Sequence, residues 1–310
     1  MLLLFTLALS WSDRRPILAG AALGLAFNIK YMPITLLPYL LLRRRWRMAG
    51  AFVASIAFFA LIPALSMGWT ANLGALATAY GGVAKLLSLP IHRITLAHLV
   101  PMDDIRSISL PSGIARLTGW PDGSALAASA TLGLLFMALA AHAYERAGLP
   151  ILRWPAATKQ ASTPLSTLFA VEYVTIILLT LIFSPFANTA HLYLLVLINA
   201  AAAAWLISLP PGSNRWPLVV GMAAMYIGIT WPPGGDRFRA AETAAKWISV
   251  PAWCMLLNGA MLLGTAVRAL ARPVGQTQTS AGFVTPVLLP ASTLDAMLLA
   301  SRSPRQPATT

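Results

Sequence analysis

Three places in this 310-residue chain carry side chains of a type and setting that could do chemistry. The first is Lys30 with Tyr31, inside the apolar stretch 16–42, PILAGAALGLAFNIKYMPITLLPYLLL. An ammonium on an apolar wall can hold a phosphate as a point charge. Its ordinary alternatives are to snorkel to an interface or to pair with a buried carboxylate, and Glu172, inside its own apolar run, is the obvious partner. The second is His191, at the end of Ser184-Pro185-Phe186-Ala187-Asn188-Thr189-Ala190-His191. A histidine there could bind a sugar hydroxyl or a phosphate oxygen, or move a proton. The competing reading is a helix-ending turn with an interfacial histidine. The third is the adjacent pair Asp103 and Asp104, conspicuous where the whole chain has nine acidic residues. One of them could act as a base toward a hydroxyl nucleophile, or simply cap a helix after Pro101. Arg93, Arg106 and Arg116 share that loop and could clamp a phosphate or touch lipid headgroups.

Other chemistries lack their signatures. There is no Gly-rich dinucleotide fingerprint, no P-loop and no Gly-x-Ser-x-Gly elbow. The four histidines and the single cysteine, Cys254, have no zinc-ligand spacing, so neither a metal nor a cofactor is expected. One cysteine also rules out an intrachain disulfide.

The elements that must position these residues are membrane helices. The chain is 58% hydrophobic and 10% charged, whereas a soluble domain carries about 25% charged residues. Apolar runs recur at 48–67, 124–143, 165–183, 192–209, 217–231 and 248–270. A helical span needs ~20 residues, and continuous runs of this kind are helices rather than alternating barrel strands. The fold class expected is all-α and polytopic, with about seven to nine membrane helices or half-helices. The net charge of +13 sits largely in short loops, where it sets orientation and meets anionic headgroups rather than nucleic acid.

Arginines flank the Lys30 stretch on both sides: Arg14 and Arg15 before it, Arg43, Arg44, Arg45 and Arg47 after it. A single crossing would strand one cluster on the wrong face. A break at Lys30-Tyr31-Met32-Pro33 predicts two half-helices, both arginine clusters cytoplasmic and Lys30 near the apex. A single tilted helix is the alternative. The remaining runs then alternate, leaving 68–123 as an outer loop whose apolar composition predicts interfacial helices, notably over 86–100. A membrane domain over 1–272 and a disordered tail over 273–310 complete the expected organisation. The opening LLLFTLALS resembles no signal peptide, is short for a span and reads as the end of a helix begun earlier.

The stretch GAALGLAFNIKYMPITLLPYLLLRRRWR resembles the signature region of the GT-C glycosyltransferases of family 87, polyprenyl-phosphate-mannose-dependent mannosyltransferases and their relatives. Shared features are a small-residue helix, Lys-aromatic-x-Pro, a leucine-rich half-helix and an arginine cluster. ISLPSGIARLTG, 108–119, is similar to a loop segment before a returning helix in that family, and FSPFANTAHLYLLV to its Ser-Pro and histidine element. The similarity runs over roughly residues 1–270. It implies transfer of a sugar, mannose by default, from a polyprenyl-phosphate donor to a hydroxyl of a lipid or glycan acceptor, on the outer face of a cell membrane. By position, Lys30 and Tyr31 would lie near the donor phosphate, assisted by Arg93 and Arg116, and His191 near the sugar. GT-C enzymes carry their catalytic Asp in a first outer loop. The expectation is that this chain begins after that loop and lacks the family's N-terminal part, leaving Asp103 or Asp104 as substitutes. A lipid-phosphate-binding transporter or flippase-like protein, and an inactive truncated paralogue, are the rival readings.

Overall fold

The structure, a computed structural model, describes residues 1–86, 104–105, 107–149, 162–184, 187, 189–209, 213–230 and 236–270. Among them the fold is helical, with no strand. Four helices are long and apolar enough to cross a membrane (Trp46–Met67, Asp122–Arg146, His191–Ser208 and Val250–Ala269), and five shorter apolar helices accompany them. The all-α polytopic expectation is met. The segment 86–100, apart from Leu86, and the tail 273–310 lie outside the described residues, as do Arg93, Asp103 and Arg106.

The break at Lys30 is present. Helix α1 (Leu2–Trp11) is followed by α2 (Pro16–Ile29), a 3-10 turn (Met32–Thr35), α3 (Leu36–Leu42) and α4 (Trp46–Leu61). Pro33 cannot donate to the Ile29 carbonyl, and Lys30 turns extended, with φ −160° and ψ 130°. Helices α2 and α4 run parallel. Gly20 lies against Met48 and Phe52, Gly24 against Phe52 and Ser55, and Asn28 Nδ2 donates to Ile56 O at 3.2 Å. The Gly-x-x-x-Gly spacing allows this close approach, since a Cβ at Gly20 would sit 2.3 Å from Met48 O. Two parallel helices in succession require the chain to return between them. The 3-10 turn and α3 are that return leg.

At the foot of the return leg α3 closes in a Schellman motif. Arg45 N donates to Leu40 O and Arg44 N to Leu41 O, with Arg44 in the left-handed region at φ 53°. This turn aims Arg45 at the preceding hairpin. Arg45 Nη2 pairs with Asp13 Oδ1 at 2.8 Å, and Nη1 donates to Ser12 O at 2.9 Å. The two arginine clusters therefore sit at one end of the bundle, and the single tilted helix is excluded.

The rest of the chain alternates as the apolar runs imply. After α4 come α5 (Ala64–Met67), α6 (Trp69–Leu86), α7 (Leu110–Thr118), α8 (Asp122–Arg146) and α9 (Ser162–Phe183). Helix α9 runs against the return leg: Thr35 Oγ1 meets Thr180 Oγ1 at 2.7 Å, while Tyr39 and Arg43 meet Glu172. Helix α8 is antiparallel to α9, with Gly133 near Phe183 and Tyr144 at Glu172. A 3-10 turn (Thr189–Leu194) leads into α10 (Leu195–Ser208), and α11 (Trp216–Thr230) returns. The short amphipathic α12 (Arg239–Trp247) has no buried residue, and α13 (Val250–Leu270) packs antiparallel to α11, Gly228 on Cys254 and Gly221 on Asn258.

Glu172 does not pair with Lys30. Its carboxylate accepts from Tyr39 Oη at 2.7 Å, from Tyr144 Oη at 2.5 Å and from Arg43 Nε at 3.0 Å, with Arg43 Nη2 closing a bidentate pair. Arg43 is 5% and Glu172 6% exposed. The reason is distance along the return leg: eleven helical residues at ~1.5 Å each put Lys30 far from the level of Glu172.

Removing one partner of a buried pair leaves an uncompensated charge, so Glu172→Gln should destabilise the detergent-solubilised protein by ~3–5 kcal/mol. Thermal unfolding reads it, and an unchanged midpoint would mean the pair is not formed in solution. Membrane sidedness offers a second check. In a Cys254→Ala background, cysteines placed at Asp13 and Arg44 should label from the same side with an impermeant maleimide, and one at Tyr31 from the other. Labelling of Arg44→Cys and Tyr31→Cys from one side would contradict the return leg.

Candidate functional site

The end of the bundle opposite the arginines gathers most of the residues singled out by type. Lys30 ends α2, half-buried, its N–H donating to Ala26 O at 2.9 Å. Tyr31 opens the 3-10 turn, exposed, with its ring edge-on to Phe27 at 5.3 Å between centroids. A helix-breaking proline just beyond and a small-residue helix just before are what bring this cation to the end of a helix rather than into its middle.

His191 is buried, within the 3-10 turn that precedes α10. The turn is reached from α9 by a run of backbone bonds: Ser184 N to Thr180 O, then Ala187 N to Ser184 O. Thr180 is the residue that meets Thr35 on the return leg. One chain of contacts thus connects the Lys30 break to the Ala187 turn, four residues before His191.

The segment leading into α7 docks on that same turn. Ile108 N donates to Ala187 O at 2.9 Å, and Ser107 Oγ reaches the same carbonyl at 3.2 Å. Ser109 is the N-cap of α7, its Oγ accepting from Ser112 N, with Pro111 inside the first turn and Gly119 left-handed at the C-terminus. The hydroxyls of Ser107, Ser109 and Ser112 are mutually bonded at 2.7–3.1 Å and buried. The 108–119 stretch is therefore a capped helix standing before the long α8.

Arg116, on α7, is buried and directed into the protein. Nε donates to Trp247 O at 3.0 Å, Nη1 to Asp104 O at 2.8 Å, and Nη2 to Lys246 O at 2.6 Å and to Ser249 Oγ at 2.8 Å. Two of these acceptors are terminal carbonyls of α12, which have no partner within the helix. Ser249 joins α12 to α13 in the left-handed region, φ 53°, and its Oγ donates to Ser109 O at 2.9 Å. Gly113 is required opposite it, because a Cβ there would lie 2.5 Å from Ser249 Oγ. On the same helix Lys246 donates to Glu242 at 2.5 Å, and this bond with its charge holds the Glu242 carboxyl below its ordinary pKa.

The structure thus places Asp104, Arg116 and the turn before His191 in one hydrogen-bonded layer, with Lys30 and Tyr31 at the same end. Asp104 opens a turn, its carbonyl accepting from Ser107 N at 3.0 Å as well as from Arg116. Sequence reasoning missed Ser249 and the Arg43–Glu172 cluster. The α7 cap was not read from the sequence either, although Ser-Leu-Pro-Ser and a Gly ten residues on are the start and stop signals that could have found it. Nothing local marked Ser249, whose role arises from a helix more than a hundred residues away.

The sequence matches the family described as "Glycosyltransferase family 87" over residues 1–168. That span holds Lys30, Tyr31, both arginine clusters, Asp103, Asp104 and Arg116, and ends before Glu172 and His191. No curated protein and no solved structure matches the chain. With the family's region covering the broken helix, the arginine end and the capped α7 in one continuous match, this chain belongs to glycosyltransferase family 87, a family of membrane glycosyltransferases.

Proposed function

We propose that the chain moves a sugar, mannose by default, from a polyprenyl-phosphate donor to a hydroxyl of a lipid or glycan acceptor, at the outer face of the cell membrane. The observation that carries this reading is the broken α2–α3 element, which sets Lys30 at the end of the bundle opposite both arginine clusters. Short arginine-rich loops stay cytoplasmic, so the Lys30 end faces outward. There a lipid-linked donor already in the membrane needs no nucleotide and no soluble domain.

In the reaction the bond between the sugar's anomeric carbon and the phosphate oxygen breaks, its electron pair leaving with the phosphate. A bond from the acceptor oxygen to that carbon forms, and the acceptor's proton passes to a base. Lys30, with Tyr31 beside it, stabilises the charge growing on the phosphate, and Arg93 adds to it. His191 lies by the sugar and orients it. Asp103 or Asp104 takes the proton.

The test is transfer of radiolabelled mannose from polyprenyl-phosphate mannose to endogenous acceptors in membranes carrying the chain. Lys30→Met should lower transfer by roughly 100-fold with membrane insertion unchanged, the loss typical of one preorganised charge stabiliser. Wild-type transfer in Lys30→Met would remove the phosphate role. His191→Ala should lower turnover at unchanged expression, and lower expression alone would make the histidine structural. Donor bound or moved across the membrane without transfer would favour the transporter reading instead.

A further inference from the structure

We propose that Arg116 is a positioning residue of the transfer reaction. It clasps the segment at Asp104, and the α12–α13 junction, onto α7 and so onto the turn that leads to His191. The proposal rests on the transferase reading above, and it gives Arg116 a role different from the phosphate contact that its charge alone suggests.

Three observations carry it. First, four N–H donors of one buried guanidinium are aimed at protein acceptors from two separate segments: Asp104 O on one side, and Lys246 O, Trp247 O and Ser249 Oγ of the α12–α13 junction on the other. A planar fork can hold that set and an ammonium cannot. Second, the far side of the clasp is built to receive it. Ser249 is held in a strained left-handed conformation at 0% exposure, passes a hydrogen bond on to Ser109 O, and fits only because residue 113 is glycine. Strain of this kind persists where surrounding contacts over-determine it. Third, Ser109 caps the helix whose preceding residues, Ser107 and Ile108, bond Ala187 O. Loss of the clasp therefore displaces the acid-bearing segment relative to the His191 turn, while the donor-phosphate groups at Lys30, anchored through α2 and α4, stay in place.

The experiment compares wild type, Arg116→Lys and Ser249→Ala, measuring kcat and KM for polyprenyl-phosphate mannose in membranes that supply the endogenous acceptors, and hydrogen exchange at Ile108 and Gly113 in nanodiscs. Displacement near 1 Å in a reacting array costs up to ~100-fold. The expected result is a fall in kcat of at least ~10-fold for Arg116→Lys and a smaller fall for Ser249→Ala. KM for the donor stays within about twofold, and exchange at both amides is faster in each variant. A raised KM with kcat retained in Arg116→Lys would overturn the proposal in favour of a phosphate contact. Unaltered exchange in both variants would overturn it outright. If wild type itself shows no transfer, the transferase reading fails and positioning for catalysis fails with it, while faster exchange would still report the clasp as a fold element. Should Arg116→Lys not fold, Ser249→Ala decides, since unchanged kcat and exchange in it would overturn the proposal.

Discussion

A buried carboxylate must find positive charge or donors, and in this chain Glu172 finds them on two other elements. Arg43 and Tyr39 come from the return leg and Tyr144 from α8, all converging on α9. Hydrocarbon cannot solvate a lone carboxylate or guanidinium, so neither partner is tolerable in its place without the other. The aromatic rings complete the surround: Arg43 lies 5.6 Å over Tyr144, and Arg45 4.3 Å over Phe169, which in turn packs against Tyr39 and Tyr173. Pinned at this end by the ion pair and near the other by the Thr35–Thr180 contact, the return leg has one register on α9. That register sets where the break falls, and hence where Lys30 stands.

The bundle divides its charges by purpose. At the arginine end, cations are either surface charges that orient the chain or members of buried pairs. Toward the other end several of the described cations are individually placed. Lys30 terminates a helix, Arg116 is enclosed by carbonyls, and Lys246 is matched by Glu242 one turn away. An amphipathic helix, α12, lies across this end with none of its residues buried, which is where an interfacial element belongs in a membrane protein.

Close backbone approach recurs among the described residues, and two cases have different consequences. Between α2 and α4 the Gly20 and Gly24 pair lets two parallel helices touch, and Ser55 Oγ bonds the Ala21 carbonyl across the gap. Without a hydrophobic force between helices in lipid, such contact is a main source of association. Between α7 and the α12–α13 junction, Gly113 admits Ser249, and the contact joins residues that the chain separates widely. The first builds the scaffold and the second closes the layer around the candidate site.

Much of this was legible from residue order alone. Composition and the lengths of the apolar runs determine a helical membrane protein, because no other structure satisfies so long an apolar backbone in lipid. The two arginine clusters around Lys30-Tyr31-Met32-Pro33 point to the return leg, since positive charge and proline act locally, and the structure excludes the single tilted helix that the sequence left as the alternative. Alternation of the later helices follows from the same rule. The pairings were not legible. By residue type Glu172 was offered as a partner for Lys30, and only the height of α9 against the return leg gave it to Arg43 instead. Arg116 carried a charge that suited a phosphate, and only the arrival of α12 and Ser249 turned its donors toward the protein. Local rules act over a few residues and survive in sequence, whereas the partner of a buried charge depends on the relative rotation and height of helices far apart in the chain, which packing decides.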